Sequence, residues 1–191
     1  WWSVKRAKRL KDFYNLYSHY SKTFLRQKNF ICTNNRIRHF RTWVTYILFE
    51  GGLLNRCYVS YLANNDDPEN KYNFDDFTLD VKHSLGKDSE HIFSDENNKN
   101  LKKFYNLLPI ECDTKKDIRI SNHESGMAIQ GIMLNSYLNI VTEASANYAK
   151  NEVDNVFMTE KTWKPILAQQ PFILIGQQKH LHALRKMGFE T

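Results

Sequence analysis

The stretch from Phe157 to Gly176 restricts what this chain can fold into more than any other part of it. Thr159 is a natural N-cap, and helical spacing runs from there to Ala168. Pro171-Phe172-Ile173-Leu174-Ile175 is then a continuous apolar run stopped by Gly176, the character of a parallel strand covered on both faces. A helix feeding straight into such a strand belongs to α/β architecture. The same alternation recurs elsewhere. Phe30–Thr33, bounded by Asn34-Asn35, has the length and flanks of a buried strand. From Arg36 the spacing turns helical, with Ile37, Phe40, Val44, Ile47 and Leu48 on one side and Gly51-Gly52 as its stop. Tyr58–Leu62 and Tyr137–Thr142 read as strands, the second ending in Glu143. His180–Met187 reads as a helix with Leu181 and Leu184 inward and Gly188 as its stop. The expected fold is a Rossmann-like parallel sheet flanked by helices.

A length of 191 residues with 41% hydrophobic content suits one core-forming domain with an appendage. The chain opens without Met and stops abruptly after Gly188-Phe-Glu-Thr, which reads as a domain cut from a longer protein. No apolar run approaches the ~20 residues that span a bilayer, and no signal-peptide pattern opens the chain. Cys32, Cys57 and Cys112 are odd in number and far apart, so buried inert thiols and a reducing, cytoplasmic setting are expected, in a bacterium, a virus or its host.

The net charge is +6, unevenly spread. Residues 1–41 hold eleven bases against the single acid Asp12, whereas residues 65–125 hold fourteen acids against nine bases. The basic end suits phosphates, whether of a nucleotide, a nucleic acid or a membrane surface. Residues 1–28 read as a basic amphipathic linker helix, with Leu10, Phe13, Tyr14, Tyr17, Tyr20 and Phe24 at helical spacing. Residues 29–191 read as the α/β domain, interrupted at 64–125 by a polar, acidic, partly helical insertion.

Chemistry concentrates where the Thr159 helix begins. A Glu at a helix start accepts ribose hydroxyls, and a neighbouring Lys with free backbone N–H groups holds a diphosphate. Standing alone, the same pair is an ordinary capping feature, and Arg36, Arg38 and Arg41 are solvated helix charges. No GxGxxG or GxxxxGK[ST] is present, nor any CxxC pair, HExxH or Asp-x-Asp, and no metal site is expected. His180-x-His182 does not face one ligand from a helix.

Phe157-Met158-Thr159-Glu160-Lys161-Thr162-Trp163, followed by Pro171-Phe172-Ile173, resembles the donor-site motif of the α1,3-fucosyltransferases. Ile140-Val141-Thr142-Glu143 is similar to that family's strand ending in Phe-Glu-Asn. Phe30–Asn35 followed by Arg41-Thr-Trp-Val is similar to its opening strand, Asn-rich turn and Arg-bearing helix. The resemblance covers roughly residues 29–63 and 137–189. It implies the C-terminal lobe of a GT-B glycosyltransferase that binds a nucleoside-diphosphate sugar such as GDP-fucose, with no metal or other cofactor. The sugar would pass to a glycan or other hydroxyl acceptor with inversion, the general base coming from a second, N-terminal lobe. Glu160 would bind the ribose, and Lys161 and Arg41 the diphosphate. Glu143 and Thr159 would complete the donor site, with Asn34, Arg38, Phe157 and Lys164 as further candidates. Phe157 stands where the family often has Tyr, and Gln169-Gln170 replace its Gly-containing turn, so guanine and fucose are not specified. The alternative is a basic nucleic-acid- or membrane-surface-binding module led by residues 1–41.

Overall fold

The computed structural model describes residues 25–64, 73–86, 95–112, 131–144 and 156–191. The linker helix expected within residues 1–28 lies outside these up to residue 24, as does the loop at 145–155. Four strands, β1 (Lys28–Arg36), β2 (Cys57–Asn64), β3 (Ser136–Thr142) and β4 (Phe172–Ile175), form one sheet in the order β2-β1-β3-β4. Every pairing is parallel, as expected for an α/β domain. The helices are α1 (His39–Glu50), α2 (Phe74–Leu85), α3 (Asp95–Tyr105), α4 (Gly131–Leu134), α5 (Glu160–Leu167) and α6 (His180–Lys186). None is long and apolar enough to cross a membrane.

Two expectations change on contact with the fold. First, β1 does not stop at the Asn34-Asn35 pair but runs on to Arg36, with an irregular register between Asn34 and Arg36. Second, α1 is not one-sided. Leu48 and Val44 pack with Cys32, Val59 and Ile140 of the sheet, while Tyr46 packs with Phe77, Val81, Leu101 and Phe104. Ile47, expected inside, is 44% exposed.

The acidic insertion contributes to the core through its described helices. Its Asn73 side chain accepts from the Asp76 N–H at 2.8 Å while the Asp76 carboxylate reaches back to the Asn73 N–H, a capping box that starts α2. The apolar faces of α2 and α3 then close an aromatic layer on α1, with Phe77 and Phe104 fully buried. Ile110, beyond α3, exchanges backbone hydrogen bonds of 2.8 and 3.0 Å with Tyr61 and so covers the β2 edge.

At the opposite edge β4 is less enclosed than an apolar run suggests, with Ile173 half exposed. In α6 the inward face is His180 and Leu184, four residues apart, and Leu181 turns outward. His182 is exposed while His180 is buried, so the two do not share a face. Burial pushes the Cys32 thiol up to about 12 and the Cys57 thiol to about 11, and both are inert free thiols as expected. Cys112 is only partly buried.

Candidate functional site

In an open parallel sheet, ligands bind outside the carboxyl ends of the strands where the strand order reverses. Here the chain places β2 on one side of β1 and β3 on the other, so that point lies between β1 and β3. Their pairing extends only to Ile31 opposite Asn139, although both strands continue beyond it. Side chains bridge the gap. Thr142 Oγ1 donates to Asn34 Oδ1, with both residues buried. Arg41, 4% exposed, sends Nη1 to the Arg36 carbonyl (3.4 Å) and Nη2 to the carbonyls of Thr142 (3.5 Å) and Glu143 (2.9 Å). Asn34 and Arg41, two of the expected donor-site residues, thus tie the strand ends together.

Glu143 is fully buried at the end of β3. Its carboxylate accepts four hydrogen bonds: from Thr159 N (3.0 Å), Thr159 Oγ1 (2.6 Å), Thr162 Oγ1 (2.5 Å) and Ala144 N (3.0 Å). Burial alone raises a carboxyl pKa, but these donors outweigh it and hold Glu143 below the usual carboxylate range. Glu143 therefore anchors the start of α5 and has no lone pair left over for a sugar.

The same neighbourhood engages two N–H groups at the start of α5. The Thr159 N–H goes to Glu143, and the Lys161 N–H goes to Thr159 Oγ1 at 3.3 Å. The helix caps itself. What α5 presents outward is charge. Lys161 Nζ donates to Glu160 Oε1 at 2.8 Å, both side chains about one-third exposed. Lys164 lies one turn further along. Burial raises the Glu160 carboxyl, but the Lys161 bond and the charges of Lys161 and Lys164 prevail and hold it low. Burial, seconded by Lys161 and opposed by Glu160, pulls Lys164 below the ordinary lysine value.

Across the reversal point, α1 begins with no side-chain cap on Arg38 and no acid in its first turn. Such an end carries uncompensated partial positive charge. Burial and then the charge of Arg38 lower the Arg41 pKa, while Glu143 and Glu160 act the other way. Arg41 thus lies within the electrostatic reach of Arg38, Glu143 and Glu160. Phe157, beside α5, keeps its ring 60% exposed and donates its N–H to Gln177 Oε1 at 2.8 Å.

No protein-family model, curated protein or solved structure matches the chain.

Arg38 and Arg41 follow the carboxyl end of β1, and Glu143, Phe157, Thr159, Glu160, Lys161 and Lys164 follow that of β3, with Asn34 buried in β1. The fold divides them into an anchoring set, Asn34, Arg41, Glu143 and Thr159, and an outward set, Arg38, Phe157, Glu160, Lys161 and Lys164. Gln169-Gln170 lie elsewhere, at the amino end of β4. Gln170 Nε2 donates there to the carbonyls of Met133 (3.1 Å) and Ser136 (2.9 Å), which pins the start of β3. Gln169 takes φ 49°, the left-handed conformation that a glycine would adopt without strain. Neither glutamine reaches the rim. Sequence reading missed Thr162 and His180. The first had a signal, because hydroxyls three residues apart at a helix start share one face; the second had none. Among the described residues, no group of three or more His, Cys, Asp or Glu is arranged to hold a metal ion.

Proposed function

We propose that this domain binds the nucleoside-diphosphate part of a sugar donor at the carboxyl rim of its sheet, as the donor lobe of a glycosyltransferase. What supports the reading is that Arg38 follows β1 and that Glu160, Lys161 and Lys164 belong to the helix that follows β3, the two strands between which the strand order reverses. Three cations and one carboxylate suit a ligand that carries both a diphosphate and a ribose diol. Arg38 and the uncapped α1 start face the phosphates, with Lys161 and Lys164 opposite. The Glu160 carboxylate, kept ionised by the two lysines, accepts from the ribose hydroxyls. The exposed Phe157 ring offers a face on which a base can stack.

In the transfer itself, the acceptor oxygen forms its bond to the anomeric carbon as the bond from that carbon to the diphosphate oxygen breaks. Charge grows on the departing diphosphate, and fixed cations aimed at it lower the barrier. A base from a second lobe takes the acceptor proton. This domain alone then binds donor and turns over little or nothing.

The alternative, a basic surface- or nucleic-acid-binding module, rests on residues 1–41, most of which lie outside the described residues. Calorimetry with GDP-, UDP- and dTDP-sugars decides, repeated on Glu160→Ala and Lys161→Ala. Saturable binding that both variants weaken roughly tenfold or more fits loss of charge-assisted hydrogen bonds. Absence of binding, or variants that bind like the parent, overturns the reading; steeply salt-dependent binding to DNA or RNA with no response to nucleotides favours the alternative.

A further inference from the structure

Among the described residues, two buried side-chain nitrogens have no hydrogen-bond partner, Arg41 Nε and His180 Nε2. The residues that carry them are 4% and 2% exposed. Buried donors are nearly always paired, so each orphan calls for an explanation. The residues that carry them both flank Glu143. Arg41 already donates from Nη2 to the Glu143 carbonyl. His180 and Glu143 close on Gly176 from two sides: a Cβ on Gly176 would stand 2.9 Å from His180 Nδ1 and 3.3 Å from Glu143 Cβ. A glycine at the end of β4 is what lets the imidazole lie so close to the strand ends.

The ring is held in one state. His180 Nδ1 accepts from the Gln177 N–H at 3.1 Å, and a neutral imidazole that accepts at Nδ1 carries its hydrogen on Nε2. The Glu143 carboxylate is not available as its acceptor, because four other donors occupy it. Nε2–H is thus an oriented donor with nothing to donate to.

We propose that His180 is a ligand-contacting residue whose Nε2–H, together with Arg41 Nε, is held for the anionic oxygens of a phosphoryl group. This rests on the nucleoside-diphosphate reading of the rim and adds to it a residue from the far side of β4. The cationic guanidinium and the neighbouring Arg38, Lys161 and Lys164 select an anionic oxygen over a neutral carbonyl. Neither nitrogen touches solvent in the ligand-free protein, so the inference includes an opening of the rim that brings the ligand's oxygen to them.

The test follows the histidine ring N–H resonances of 15N-labelled protein during titration with GDP and, separately, inorganic pyrophosphate. Expected is a downfield move of the His180 Nε2–H signal that saturates with the calorimetric isotherm. His180→Phe, which keeps a ring but no donor, should weaken binding roughly 10- to 100-fold. His180→Gln, whose amide N–H reaches about as far as Nε2, should recover much of that loss. GDP binding that leaves the resonance unmoved, or His180→Phe binding like the parent, overturns the inference and leaves the rim reading standing. If neither probe binds, both fall. Should His180→Phe fail to fold, the parent resonance alone decides.

Discussion

A carboxylate as deeply buried as that of Glu143 survives in a protein interior only if donors replace the water it loses. Two threonine hydroxyls and two backbone N–H groups do so here, and all of them belong to residues next to Glu143 or at the start of α5. Glu143→Gln keeps the shape but turns one acceptor into a donor facing Thr159 or Ala144. Loss of charge-assisted bonds should cost roughly 1.5–3 kcal/mol, read as a lower urea midpoint at unchanged slope. The pH dependence follows from the lowered pKa of Glu143. A carboxyl that ionises more readily folded than unfolded stabilises the fold fully above its unfolded pKa, and that contribution disappears as pH falls through the folded pKa. Acid unfolding below the ordinary carboxylate range should therefore be steeper in the parent than in Glu143→Gln, as circular dichroism against pH will show.

At the scale of elements, α1 is the hub. Its sheet-facing side packs over Cys32, Val59 and Ile140, and its other side carries the aromatic layer built with α2 and α3. Tyr46 and Phe104 meet nearly edge to face, with centroids 5.6 Å apart, and Phe77 and Phe104 lie 5.5 Å apart. Phe104→Ala should therefore destabilise the whole domain by about 3–5 kcal/mol in a single transition, not merely release a surface loop. A separate early transition would show that the two layers unfold independently. At the amino end of the sheet, Gln170→Ala removes one donor each from the Met133 and Ser136 carbonyls, which keep Ser136 Oγ and Arg26 Nη1 respectively. The expected cost is about 1–3 kcal/mol with nucleotide affinity unchanged, because that end is opposite the rim. Loss of affinity without loss of stability would contradict this division between the two ends of β4.

For the whole molecule, the charged rim lies where the two halves of the sheet part, so a ligand there touches α1 from one half and α5 from the other. Binding to the folded state alone raises stability by about 2.7 kcal/mol at a hundred times Kd, or roughly 5–10 °C in Tm for a chain of this size. Differential scanning calorimetry with GDP should show that rise, with Glu160→Ala abolishing most of it. Strand–helix alternation, the Thr159 cap and the apolar run before Gly176 were legible in the sequence by itself, because caps, periodicity and stop residues act over a few neighbours. The division of labour among Arg41, Glu143 and Glu160 was not. Hydrogen bonds decide it, and their partners lie up to 108 residues apart, as between Asn34 and Thr142. The polarity of residues 64–125 likewise concealed the wide spacing of Phe77, Val81, Leu101 and Phe104, whose shared burial exists only once α2 and α3 lie on α1. Local sequence determined which elements form and roughly where they end. Tertiary packing alone decided which side chains anchor the rim and which remain for a ligand, since burial and donor count are properties of the assembled neighbourhood.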